Sequence, residues 1–328
     1  MRTYRCRACQ SPLFFDNSVC VTCGSALGYS RAERAIVCVD DASRYVDAEG
    51  RTWHVCANLD LSGCTWLSPV AGGQCSACDL TRTRPSDDDA EGLAHFAAAE
   101  AAKRHLVAEL DELGFNISGL VFDMLSSSPA SGEENVVIGH ADGVITIDLA
   151  ESDDARRERI RQELGEPYRT LLGHLRHEVG HYLQSVLVTE EHPERLARCR
   201  ELFGDETKDY QAEIDRHYSQ GPPADWADSF ITTYATMHPF EDFAETFAHY
   251  LHISDTVATA ASFGLVYFEP TAHERFSDLV VAVWMPLSVA LNQINRAMGK
   301  ADVYPFVIPP PVLDKLDFVA SLAATPGP

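Results

Sequence analysis

LLGHLRHEVGHYLQSVL, residues 171–187, is the stretch on which the reading of this chain turns. Leu175, Val179, Leu183 and Val186 recur at helical spacing, so the segment predicts one amphipathic helix. His177 and His181 stand four residues apart and therefore fall on one helix face. Two neutral imidazoles so placed can both reach one Zn²⁺ at about 2.0–2.1 Å. Glu178 is turned by about 100° from His177, which keeps it off the metal and beside a water activated there. Zinc lowers the pKa of such a water towards about 7, and Glu178 is then the candidate general base that passes the proton on to a leaving amine. His174, one turn earlier, reads as a neighbouring or core histidine.

A catalytic zinc needs three protein ligands and an open fourth position. Candidates for the third lie in FITTYATMHPFEDFAETFAHYLHISDT, residues 230–256. Pro239 suits a helix start, after which Glu241, Glu245 and His249 recur every fourth residue on one face. Glu241 as ligand leaves Glu245 one turn along, where it can accept the N–H of a ligating histidine and fix its tautomer. Spacing alone allows the reverse assignment. His238, His249, His252 and Asp255 are candidates for a wider hydrogen-bond network, whereas Trp226, Trp284, Phe243 and Phe247 read as core.

Nine of the ten cysteines precede residue 80. Cys6, Cys9, Cys20 and Cys23 form two Cys-x-x-Cys knuckles ten residues apart. Two such knuckles complete a closed tetrahedral zinc site, which is structural and supplies folding free energy to a segment with little core. Cys56, Cys64, Cys75 and Cys78 suggest a second four-cysteine site, although only one half of it is a Cys-x-x-Cys knuckle. Cys38 and Cys199 have no evident partner.

Composition narrows the partners. The chain has 328 residues and a formal net charge of −23, which repels phosphate backbones and anionic lipid. Nucleic acid and membrane are not expected partners. The start, MRTYRCRACQ, has no apolar segment of the secretory kind, and no apolar run reaches the 18 residues that a membrane span requires. A cytoplasmic location follows as an expectation, and in a reducing compartment the cysteines read as metal ligands rather than disulfides.

The sequence divides into a zinc-ribbon region over 1–84, a larger domain over 85–322 and a disordered tail over 323–328. TRTRPSDDDAEG, residues 81–92, marks the change. Helices are expected at 93–114, 152–164, 167–188, 193–203, 207–219, 225–236, 239–259, 272–283 and 286–298, with a last helix after the prolines. Runs at 119–125, 135–139 and 143–149 read as a small antiparallel sheet with an Ala-Asp-Gly hairpin turn, the last run an edge strand open to an extended peptide. The fold class is α+β and mostly helical, preceded by small zinc-bound β structure.

HEVGH followed by EDFAETFA resembles the gluzincin metallopeptidases, and most of all their lethal-factor and pro-pro endopeptidase type, over residues 143–255. That resemblance implies that the first glutamate of the later helix, Glu241, is the third ligand. It also implies that the tyrosine seven residues before it, Tyr234, donates to the developing oxyanion, with Glu245 behind the ligands. CANLDLSGCTWL, CSACDLTRTRP, HLRHEVGHY and FEDFAETFAHYLHISDT are similar to a family of bacterial zinc-binding metallopeptidases with an amino-terminal zinc ribbon. The implied activity is peptide-bond hydrolysis, with one catalytic zinc, one or two structural zincs, a peptide or protein substrate, and a ribbon that docks substrate or partner. The competing reading is a non-catalytic interaction module with a degenerate peptidase fold.

Overall fold

The computed structural model describes residues 3–127, 136, 138–152, 170–267 and 274–323. Residues 153–164 of the helix expected over 152–164, residues 324–328 of the expected tail, and residues 135 and 137 of the strand expected at 135–139 lie outside the described residues. The chain forms two compact units, one of residues 1–112 and 118–157, the other of 113–117 and 158–328.

In the first unit, short ladders of two or three strands alternate with cysteine turns. β1 (Tyr4–Arg5) pairs with β2 (Pro12–Leu13), β3 (Leu27–Ser30) with β4 (Ala35–Cys38), and β6 (Thr52–Val55) with both β5 (Arg44–Val46) and β7 (Leu67–Ser68), all antiparallel. These ladders are too small to bury a core of their own. Tyr4, Phe15, Tyr29 and Trp66 supply one, with centroid separations of 4.8 Å for Phe15–Tyr29 and for Tyr29–Trp66. The alanine-rich helix α1 (Ala90–Leu113) follows.

The remaining sheet of this unit corrects the expectation. Its order is β10 (Gly139–Ala141), β11 (Val144–Asp148), β9 (Val121–Leu125), β8 (Thr81–Thr83). Only β10–β11 is antiparallel; β11–β9 and β9–β8 are parallel, so the sheet is mixed. The hairpin turn is where it was expected, with Asp142 and Gly143 both at positive φ (50° and 80°). Val144–Asp148 is paired on both sides and is therefore not an edge strand. Its alternating Val-Ile-Thr-Ile pattern could not reveal this, because alternation marks which side chains share a face and says nothing of the direction of the neighbouring strands.

The second unit is helical: α2 (Leu171–Leu187), α3 (Pro193–Phe203), α4 (Tyr210–Gln220), α5 (Pro239–Ser262), α6 (Phe276–Ala297) and α7 (Pro310–Ser321). Thr170 caps α2 by accepting from the Gly173 amide, and His238 caps α5 by accepting from Phe240, just before Pro239 at the first helical position. The helices expected at 272–283 and 286–298 run together, because a π-helical segment, Val280–Trp284, carries the chain past Pro286 without a break. Among the described residues, α6 is long and apolar enough by length and composition to cross a membrane. The sequence had shown no such run. Trp284 on its inner face packs on Tyr304 at 4.7 Å between ring centroids.

The helix expected over 225–236 is absent. Two 3₁₀ turns, Trp226–Asp228 and Tyr234–Thr236, stand there instead. Thr232 and Thr233 explain it: the Thr232 hydroxyl accepts from the Ala235 amide and the Thr236 hydroxyl donates to the Thr233 carbonyl, so local bonds compete with the helix.

α2 and α5 cross at Gly180. A Cβ there would lie 3.0 Å from the Ala244 Cα. The glycine inside HEVGH is thus a spacer that lets two backbones approach. Arg176 reinforces the crossing by donating to Asp255 at 3.1 Å and to His252 at 3.3 Å.

Candidate metal centre

The close crossing of α2 and α5 brings three donor atoms together. His177 Nε2 lies 3.0 Å from His181 Nε2 and 3.1 Å from Glu241 Oε2, and His181 Nε2 lies 3.4 Å from the same oxygen. Tetrahedral bonds of about 2.0–2.1 Å place donors about 3.3 Å apart, so the spacing fits one zinc ion. The donor set of two imidazoles and a carboxylate also suits zinc.

The opposite nitrogen of His177 decides the place of Glu245. Nδ1 donates to Glu245 Oε1 at 2.8 Å, and Glu245 Oε2 accepts from the Thr232 hydroxyl at 2.8 Å. Glu245 thus stands behind the imidazole, and its bond leaves the Nε2 lone pair facing Glu241. Glu241 shares the three-donor cluster with His177 and His181, and Glu245 does not.

These groups hold one another's charge. Burial alone would lower the pKa of His177, but the Glu241 and Glu245 carboxylates override it and hold the imidazolium well above its ordinary range. Burial would raise Glu241, yet the His181 charge and the His177 bond hold it well below the usual carboxylate range. Glu178 resists burial in the same way: the His174 bond, 3.1 Å from Nε2 to Oε1, and nearby imidazoles lower it to about 2. Its other oxygen, Oε2, is buried with no hydrogen-bond partner among the described residues. A buried, ionised and unpaired carboxylate oxygen is costly unless a ligand uses it.

Tyr234 sits with its ring 5.8 Å from the His177 ring. Its hydroxyl has no hydrogen-bond partner among the described residues, and burial raises its pKa so that it stays protonated. The loop that carries it is tied down from α7. Buried Lys315 donates to the Ser229 carbonyl at 2.8 Å and to Asp242 at 2.6 Å, with its ammonium 4.4 Å from the Phe230 ring centroid.

The wider candidates are structural. His238 caps α5, and His249 bonds the Tyr304 hydroxyl at 2.8 Å. His252 and Asp255 take Arg176. Phe243, Phe247 and Trp284 are buried. Three contributors carried no signal in the sequence. Tyr210 donates to Glu241 Oε1 at 2.7 Å, Thr232 holds Glu245, and Lys315 holds the Tyr234 loop. Each is a common residue at a spacing that marks nothing.

Two four-sulfur clusters lie in the first unit. In one, Cys6–Cys23 and Cys9–Cys20 sulfurs are 3.7 and 3.6 Å apart. In the other, Cys56–Cys78 and Cys64–Cys75 are 3.7 and 3.6 Å apart. A disulfide would need about 2.05 Å, whereas tetrahedral Zn–S bonds of about 2.3 Å give sulfur separations near 3.8 Å. Both clusters therefore fit a zinc ion. The knuckles of the first repeat one turn: the Gln10 amide bonds the Cys6 carbonyl and the Gly24 amide bonds the Cys20 carbonyl, each at 2.8 Å, with positive φ at Gln10 and Gly24. Cys23 is exposed, while all four sulfurs of the second cluster are buried. There Cys78 lies 3.6 Å from Glu100 Oε2 on α1, and Glu100 Oε1 accepts from wholly buried Lys103 at 2.6 Å.

A zinc-ribbon domain model matches residues 3–89, and the family described as "Putative zinc-binding metallo-peptidase" matches residues 92–322. Uncharacterized proteins of Mycobacterium bovis and of Mycobacterium tuberculosis, strains CDC 1551 and H37Rv, are each 48 % identical to the chain over 97 % of its length and 94 % of theirs. No solved structure matches significantly. Two cysteine clusters in a ribbon and a histidine pair facing a glutamate across a helix crossing thus belong to one lineage, and this chain is a member of the zinc-binding metallopeptidase family, with an amino-terminal zinc ribbon.

Proposed function

We propose that the chain is a gluzincin-type zinc metallopeptidase, similar in its site to the lethal-factor and pro-pro endopeptidase type, that hydrolyses peptide bonds. His177, His181 and Glu241 hold the catalytic zinc, Glu178 is the general base and Tyr234 the oxyanion donor. The observation that carries this reading is the convergence of three donor atoms within 3.0–3.4 Å beside a carboxylate oxygen left unpaired in a buried position.

Zinc bound there supplies Lewis-acid polarisation of a water molecule and of the scissile carbonyl. The chain's own groups do the rest. Glu178 Oε2 accepts the water's proton and delivers it to the leaving amine; its low pKa keeps it ionised and ready. His174 holds the other oxygen, so the carboxylate is oriented before substrate arrives. Tyr234 donates its hydroxyl proton in a hydrogen bond to the carbonyl oxygen as negative charge gathers on it. Glu245, fixed by Thr232, keeps the His177 ring in the ligating tautomer.

The two cysteine clusters hold structural zinc and shape the ribbon as a docking surface for a protein substrate or partner. A cytoplasmic setting fits the grouping of eight cysteines into two metal-type clusters. Mapping cut sites in a proteome with the wild type and with Glu178→Gln tests the reading. The variant keeps its zinc and fold and loses about 10²–10⁴-fold in cleavage. Undiminished cleavage by Glu178→Gln contradicts it.

A further inference from the structure

Glu241 is held from a side that the catalytic reading leaves unexplained. Its Oε2 faces both ligating imidazoles, while its Oε1 accepts a hydrogen bond of 2.7 Å from Tyr210. Tyr210 comes from α4, a helix that contributes nothing else to the cluster. The residue is 41 % exposed, so it adds little apolar burial, and its ring rests on His238 at 5.1 Å. What its position achieves is the bond from its hydroxyl.

The start of α4 is anchored with corresponding care. Asp209 caps it by accepting from the Ala212 amide at 3.0 Å. His238 links it to α5: Nδ1 accepts from Phe240 and Nε2 donates to the Lys208 carbonyl at 3.2 Å. Arg216, further along α4, donates to the Thr236 carbonyl at 3.2 Å. One imidazole thus fixes Lys208, two residues before Tyr210, against the turn that presents Glu241.

A carboxylate with both oxygens free can bind a metal through one or through both. Binding through both would take up the position that water and substrate require. A donor on Oε1 blocks that mode and draws charge from the ligand, leaving the metal a stronger Lewis acid. We infer that Tyr210 is a positioning residue of the centre, whose hydroxyl commits Glu241 to ligate through Oε2 alone and keeps the fourth coordination position open. This rests on the proposed peptidase reading. It divides labour between two tyrosines: Tyr210 acts on the ligand and Tyr234 on the substrate.

Tyr210→Phe and Tyr234→Phe in the full chain test it, with two readouts that need no substrate. The first is zinc affinity of the histidine centre against a competing chromophoric chelator. The second is the visible d–d spectrum of Co²⁺ placed in that centre after mild chelation that leaves the cysteine sites filled. Tyr210→Phe lowers affinity about 10–100-fold and weakens the d–d bands, as a four-coordinate ion gains a ligand, with an unchanged melting curve. Tyr234→Phe moves neither readout. A Tyr210→Phe protein with wild-type affinity and wild-type cobalt spectrum overturns the role of Tyr210 and leaves the peptidase reading standing. A wild-type chain that takes no zinc at His177 and His181 overturns both.

Discussion

The cysteine clusters and the histidine cluster use the same coordination number in opposite ways. Each cysteine cluster draws four sulfurs from turns and short strands whose only packing is a small aromatic core, and the four close on one another. The histidine cluster draws three donors from two long helices whose contact at Gly180 and Ala244 is made by packing. On the proposed reading its fourth direction is left to Glu178 and Tyr234. In the first case the metal makes the structure; in the second the structure makes a place for the metal. The two cysteine clusters differ as well. Metal-free, the four buried sulfurs of the second cannot all ionise: the Cys56 thiolate, bonded by Cys64, is favoured, and Cys64 and Cys78 are pushed up by bonds from Cys56. Lys103 and Glu100 lie buried behind this cluster, so its charge is coupled to α1. The first cluster has an exposed member, Cys23, and no such backing.

This contrast can be broken by experiment, and the largest effect should come from the second cysteine cluster. Cys75→Ser removes a wholly buried ligand, and with it most of a binding energy of about 10–16 kcal/mol that is also folding energy. The first unit should lose its amide hydrogen-exchange protection across α1, whereas Cys23→Ser leaves α1 protected. Equal protection in both variants would refute the coupling through Glu100. A smaller effect is expected at the helix crossing. Gly180→Ala places a methyl 3.0 Å from the Ala244 Cα, so the helices must part. Overpacking of this kind costs about 1–3 kcal/mol, and zinc affinity at the histidine centre should fall with stability while the cysteine sites stay filled. An unshifted melting curve would show that the crossing yields without strain. The smallest effect is in pH. The His177 pKa is raised in the metal-free chain, so a proton must leave before zinc binds. Glu241 is already ionised and adds none. Zinc affinity at this centre should therefore fall as pH falls, about tenfold per unit for one displaced proton, read by chelator competition between about pH 8 and about pH 6. A flat profile would mean that His177 is neutral before the metal arrives.

Much of the centre could be read from sequence because its parts obey short rules. His177, Glu178 and His181 lie within one helical turn, and each Cys-x-x-Cys knuckle is a single turn of backbone. The helices expected at 167–188, 193–203 and 239–259 stand at 171–187, 193–203 and 239–262, the last begun by the proline that announced it. Long-range facts could not be read in this way. Nothing in Val144–Asp148 states that one neighbour, β9, is parallel and the other, β10, antiparallel, because those partners are set by pairing at long range and not by the strand's own pattern. The false helix at 225–236 came from apolar spacing that ignored what Thr232 and Thr236 do with their hydroxyls. Tyr210 and Lys315, 31 and 73 residues from the glutamate and aspartate they bond, are connected to them only by the packing of α4 and α7 on α5. Glu241 against Glu245 stood between these cases. Their shared face was visible in sequence, whereas which nitrogen of His177 each one meets was not.

The account stands or falls on whether His177, His181 and Glu241 hold a zinc ion that the cysteines do not. Native mass spectrometry of the full chain counts the bound ions. The account predicts three zinc ions in the wild type, three in Glu178→Gln, and two in Glu241→Ala, with Glu245→Ala retaining the third more weakly. A wild-type chain with no more zinc than Glu241→Ala would contradict it.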